Sequence, residues 1–190
     1  MTSFILRNDD VAFSTDYHNL VEFCEICDKY KVKIIQAITP LGKIIGIESH
    51  MTDAELVAYG GKHTILDNYE VINYLRTRDD AIGVHGLWHT HSPSANDISL
   101  AKDMLIAVNL TPSYFCSPFN EGDYPPEVHG LKVSGKTQRL EDYLPGMPKQ
   151  NEVPTDPIVY LHEWRFNKDT GWYKMEDLDK CLSRITNIPA

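Results

Sequence analysis

The sequence predicts an α/β domain of the α+β type, and three observations carry that prediction. Two β-branched runs, Val32–Ile38 and Lys43–Glu48, flank the turn residues Thr39-Pro40-Leu41-Gly42, a hairpin signal. Helical apolar stripes recur at Leu20, Phe23, Cys24, Cys27 and Tyr30, and again at Ile98, Ala101, Met104 and Leu105. Between them, Gly86–Ile98 reads as a corner where a buried strand hands over to a helix.

Taken in order, Phe4-Ile5-Leu6 is a short apolar run suited to an edge strand, and the first amphipathic helix runs from Thr15 to Lys29 and Lys31. The hairpin follows and returns Glu48 to the level of Ile34 and Ile35. Residues 51 to 66 read as a second hairpin or an irregular crossover. Asp67 or Asn68 caps a helix with Val71, Ile72 and Leu75 on one face. Ala81–His89 is the strand that delivers the corner, and Ser113–Cys116 and Val128–Val133 are further strands. The end of the chain reads as a hairpin, Ile158–Phe166 with Trp172–Met175, and a helix from Glu176 to Ile185. Trp164, Phe166, Trp172 and Tyr173 are packing residues in this reading, with an aromatic recognition surface as the alternative. The expected organisation is one domain over residues 1 to 135 and an extension over residues 136 to 190 packed on it.

Composition narrows the function. A chain of 190 residues with 42% hydrophobic and 24% charged content can bury a real core. Its net charge of -9 disfavours nucleic acid, whose binding depends on a basic stripe. No apolar run approaches the roughly 20 residues of a membrane span. Four cysteines, Cys24, Cys27, Cys116 and Cys181, lack framework spacing and follow no signal peptide. They read as reduced thiols in a cytoplasmic protein.

The corner carries the chemistry. Two histidines at i and i+2 on a strand face one way, so His89 and His91 can address one point. Pro93 ends the ladder, and Ser94 is an N-cap with Asp97 at N3. Two imidazoles and a carboxylate form a three-ligand Zn2+ set that leaves a fourth position for water. A half-buried histidine and a simple helix cap are the plain alternatives.

Trp88-His89-Thr90-His91 and Pro93-Ser94-Ala95-Asn96-Asp97-Ile98 resemble the H-x-H and S-x-x-D signature of the JAB/MPN/Mov34 (JAMM) metalloproteases, in particular the prokaryotic JAB-like group. The resemblance spans roughly residues 15 to 135 and implies a JAB/MPN-like, cytidine-deaminase-like mixed sheet flanked by helices, with a C-terminal hairpin-helix extension. It implies a zinc-dependent peptidase or isopeptidase, with a peptide or ubiquitin-like protein as substrate. His89, His91 and Asp97 would hold zinc, Ser94 would steady the oxyanion, and a glutamate would serve as general base. Glu48 leads for that role, with Glu25 and Glu55 behind it, because no E-x-x-G opens the first hairpin strand. The gap between His91 and Ser94 is shorter than the family's, and Ser99 with Asp103 is the second register. A catalytically inactive MPN-type scaffold and a JAB-like toxin or nuclease domain are the competing readings.

Overall fold

The computed structural model describes residues 4–42, 50–61, 63–166 and 172–186. The chain divides into two compact units: Met1–Asn8, Asp16–Ile34 and Thr137–Ala190 form one, and Asp9–Thr15 with Ile35–Lys136 form the other. Strands β1 (Ile5–Val11) and β2 (Lys33–Ile38) pass from the first into the second.

In the second unit, β2 lies parallel to β3 (Ala81–Val84), with Ile35 opposite Ala81 and Ile38 opposite Val84. On its other side β3 runs parallel to β4 (Pro112–Cys116), and β4 runs parallel to β6 (Leu131–Ser134). Strand β5 (Glu127–Val128) joins β6 as an antiparallel hairpin. His129 and Gly130 turn that hairpin with positive φ at both central positions, which matches the twist of the strands. Gly83 suits the centre of β3, because a Cβ there would meet Cys116 Sγ at 2.7 Å.

Parallel strands need crossovers, and helices supply them. Helix α2 (Asp53–Gly60) opens on a Thr52–Glu55 capping box. Helix α3 (Tyr69–Thr77) is capped by Asn68, whose amide also donates to the Phe13 and Thr15 carbonyls. It buries Val71, Ile72 and Leu75, while α4 (Ala95–Ala107) buries Ile98, Ala101 and Leu105.

In the first unit, β8 (Ile158–Leu161) runs parallel to β1, with Ile5 opposite Ile158, and β7 (Gln138–Arg139) runs parallel to β8. Helix α1 (Tyr17–Lys29) buries Leu20, Phe23, Cys24 and Cys27; helix α5 (Met175–Thr186) buries Leu178, Cys181, Leu182 and Ile185. Burial pushes the Cys181 thiol pKa up.

Several expectations are corrected here. The JAB/MPN-like mixed sheet built on an early hairpin is not the observed arrangement: β2 pairs in parallel with a strand much later in the chain, Ile35 lying opposite Ala81, and the run Lys43–Glu48 lies outside the described residues. Residues 53–60 are helical because the Thr52–Glu55 box satisfies the first amides. The strand expected through His89 stops at Val84, since Gly86 has φ 75° and turns the backbone away. The terminal hairpin is absent from the described residues: β8 pairs with β1, and Glu163–Phe166 is a single helical turn. Nor is β1 an edge; Leu6 to Val11 are buried.

Candidate metal centre

Three buried side chains meet at the carboxyl ends of parallel strands, the end where open α/β sheets place their ligands. Asp10 stands next to last on β1, His85 directly follows β3, and His89 sits four residues beyond it. Asp10 Oδ1 lies 3.3 Å from His85 Nε2 and 3.0 Å from His89 Nε2. Their exposures are 5%, 1% and 6%. Ligands held about 2.0–2.1 Å from a tetrahedral ion stand roughly 3.3 Å apart, so this spacing fits a divalent ion. Among the described residues, Asp10, His85 and His89 are the group that can offer three ligand atoms to one point.

Local backbone explains how the chain brings them together. One backbone bond carries on past the end of β3: the His85 N–H donates to the Ile38 carbonyl at 2.8 Å, while the His85 carbonyl accepts from Thr39 Oγ1 at 3.0 Å. Gly86 then turns with φ 75°, where a Cβ would press on Pro118 Cγ at 3.1 Å. Leu87 accepts from the Leu41 amide. Asp10 and His89 themselves hold left-handed φ values of 70° and 56°. Such backbone is unusual outside glycine, though less so for Asp and His, and it gathers at functional sites.

The tautomer of His85 is fixed by a neighbour. Its Nδ1 lies 2.9 Å from the Cys116 carbonyl, which can only accept, so Nδ1 carries the hydrogen. In the neutral ring Nε2 is then the lone-pair donor, as in metal sites whose histidines donate outward to a carbonyl. His89 differs: its buried Nδ1 makes no hydrogen bond among the described residues.

The loop after β4 closes over this turn. Phe119 lies against His89 and stacks flat on His91, and the Ser117 hydroxyl donates to the Glu121 carbonyl. Tyr124 packs edge-on against Phe115, and burial holds its phenol above the ordinary pKa, with a hydrogen bond to Ser117 opposing.

The residues expected to form the site fall in four places. His89 is in the cluster just described. His91 is half-buried, with its amide donating to Asp53 Oδ1 at 2.8 Å and its Nδ1 at 3.6 Å from Glu121 Oε2. Ser94 and Asp97 face each other: the Asp97 carboxylate accepts from the Ser94 amide and hydroxyl at 3.0 and 2.7 Å, and the Ser94 hydroxyl accepts from the Asp97 amide. Together they make a capping box at the start of α4. Glu48 lies outside the described residues, while the fallback Glu55 serves the α2 cap.

Asp10 and His85 were not singled out from the sequence. The available signal was a third histidine at i−4 from His89, with an Asp9-Asp10 pair closing the first β-run. The smaller unit holds a second buried acid–imidazole contact, His162 Nδ1 to Glu141 Oε1 at 3.2 Å, joined by Arg165 at 3.4 Å.

No family description and no curated protein matches the sequence. Solved structures do resemble it. The wild-type BA3943 protein, a CE4 family pseudoenzyme from Bacillus anthracis, superposes with a TM-score of 0.62 at 15% identity, covering 97% of this chain and 60% of that one. The peptidoglycan deacetylase PdaC from Bacillus subtilis gives 0.60 at 13% identity, with 98% and 84% covered. A family 4 acetyl xylan esterase from Clostridium thermocellum, in complex with a cobalt ion, gives 0.57 at 17%, with 95% and 82% covered. The chain thus spans about three fifths of the length of the BA3943 protein.

These neighbours overturn the JAB/MPN/Mov34 relationship. Its central element, a strand ending in H-x-H, does not form: β3 ends before His85, and His89 and His91 lie in irregular backbone. With that relationship fall the JAMM-type isopeptidase, its protease and deubiquitinase-like character, and the peptide or ubiquitin-like protein as substrate. In the described residues no helix is long and apolar enough to cross a membrane. The fold of this chain is the one shared by the CE4 pseudoenzyme, the peptidoglycan deacetylase and the acetyl xylan esterase.

Proposed function

We propose that this protein is a metal-dependent hydrolase that removes acetyl groups from a carbohydrate. The observation that carries the reading is the convergence of Asp10 Oδ1, His85 Nε2 and His89 Nε2 within 3.3 Å contacts to the carboxylate, in a fold shared with deacetylases. Asp10, His85 and His89 would hold the ion, and two imidazoles with one carboxylate suit zinc, or cobalt in its place. Such an ion, when bound, supplies a Lewis acid and lowers the pKa of water at its open position.

The chain's own residues do the rest. Asp10 balances positive charge in a buried setting, and the Cys116 carbonyl keeps the His85 ring turned toward the centre. We assign proton transfer to Asp9, which is 2% exposed and adjoins Asp10 on β1. The left-handed backbone at Asp10 breaks the strand alternation that otherwise sends neighbouring side chains to opposite faces. The four cysteines are buried and in no disulfide among the described residues, which is the ground for keeping the cytoplasmic placement.

Acetate release from N-acetylated oligosaccharides and from acetylated xylan tests the reading. The expected result is metal-dependent release that Asp9→Asn abolishes while metal stays bound, and that Asp10→Ala abolishes together with metal binding. Absence of acetate release with metal bound would favour the second reading, a carbohydrate-binding module without turnover, for which the pseudoenzyme among the neighbours is the supporting observation.

A further inference from the structure

His85 and His89 are oriented by different means. The outer nitrogen of His85 is pinned on the Cys116 carbonyl, whereas the outer nitrogen of His89 is buried and makes no hydrogen bond among the described residues. Metal-binding histidines almost always donate that outer N–H to a carbonyl, carboxylate or water, which sets the ring's orientation. Among the described residues no polar group sets the orientation of His89 through that nitrogen.

The Phe119 ring occupies the required place. Its centroid lies 4.4 Å from that of His89 at 45°, and 4.0 Å from that of His91 at 11°. One phenyl ring is therefore seated between the two imidazoles. His91 cannot easily yield, because its amide is tied to Asp53 and its Nδ1 faces Glu121. Phe119 and the following Asn120 both take left-handed backbone, with φ 54° and 57°. A bulky residue is a true outlier there, and such strain persists only where its surroundings enforce it. Here the Ser117 hydroxyl on the Glu121 carbonyl closes the loop, and Pro118 abuts Gly86 in the histidine turn.

We propose that Phe119 is the positioning residue for His89: wedged against His91, its ring packs on the His89 imidazole and aims Nε2 at Asp10. The proposal rests on the metal reading above. It assigns His91 the role of a backstop that acts through its ring.

Titration of the 190-residue chain with Co2+ alone, in competition with a chelator, distinguishes the metal site from the role of Phe119. If the wild type binds no Co2+, the metal reading itself fails. Given wild-type binding, Phe119→Ala is expected to weaken Co2+ by about 10–100-fold, the usual cost of removing an outer-shell partner, and Phe119→Tyr is expected to restore it. His91→Ala is expected to weaken binding and His91→Phe to restore it, since the ring is kept. Wild-type affinity in Phe119→Ala would overturn the proposal. Should that variant fail to fold, the His91 pair decides: equal losses in His91→Ala and His91→Phe would overturn it, because charge rather than stacking would then be the support.

Discussion

Asp10 and Glu141 are both buried carboxylates set against histidine, and they differ in what answers their charge. Glu141 faces the His162 imidazole at 3.2 Å and the Arg165 guanidinium at 3.4 Å, and that guanidinium also lies over the rings of Trp164 and Trp172 at 5.1 and 5.0 Å. A permanent cation is built in. Asp10 instead faces two imidazole nitrogens, at 3.0 and 3.3 Å, and these are cationic only when protonated. The comparison sets a buried acid held beside a guanidinium against one held beside two imidazole nitrogens at the spacing that ligands of one ion would have.

The largest effect expected from this contrast is on the Asp10 side. His85→Ala or His89→Ala should lower Zn2+ or Co2+ affinity by roughly a hundredfold to nearly a thousandfold, since a structural zinc site's 10–16 kcal/mol shared over four ligands leaves about 2.5–4 kcal/mol for each. Isothermal titration checks it. Affinity within tenfold of wild type would remove these residues from the centre.

Glu141→Ala probes the other side. Leaving Arg165 without its buried partner should destabilise the fold by about 3 kcal/mol, seen as a lower midpoint in chemical denaturation. Metal affinity should not change. A shared loss of stability and metal binding would erase the distinction drawn between the two acids.

The backbone that serves the centre gives a smaller effect. Gly86→Ala should cost about 1–2 kcal/mol, because φ 75° disfavours a Cβ and Pro118 Cγ stands 3.1 Å from where it would lie. The measurement is again a denaturation midpoint, and a neutral outcome would mean the turn is free to relax.

The smallest effect sets the edge of the site. Asp97→Ala removes the acceptor for the Ser94 amide and hydroxyl and should cost about 0.5–1 kcal/mol, the scale of a helix cap, with Co2+ affinity kept. A matching collapse of metal binding would place Asp97 in the centre.

These differences also show what the sequence could convey. Helices α1, α3, α4 and α5 were legible because each exposes a polar face and buries a spaced stripe, as with Leu20, Phe23 and Cys27 on α1 or Val71, Ile72 and Leu75 on α3; α2, which buries Leu56 without such a stripe, was not. Strand β1 was obscured since Arg7, Asn8, Asp9 and Asp10 are polar yet buried, so no apolar alternation marks it. The run Val32–Ile38 was readable as a strand, but its partner was not, because parallel pairing depends on a distant segment and a β-run beside a turn looks like a hairpin.

The site was half legible for a related reason. His89 stood out by its spacing from His91, yet that spacing has meaning only on a strand, and Gly86 ends the strand first. On the turned backbone the relevant spacing is from His85 to His89. Asp10 reaches them only because β1 and β2 are adjacent, with the Thr39 amide donating to the Val11 carbonyl at 2.9 Å. Such adjacency is a property of topology, not of any local window.

Anomalous scattering from cobalt-soaked crystals tests the central claim most directly. The expected result is one ion bonded to Asp10 Oδ1, His85 Nε2 and His89 Nε2, at about 2.0–2.2 Å from each. An ion found instead on His91 or Asp97, or no ordered ion between Asp10 and the two imidazoles, would contradict it.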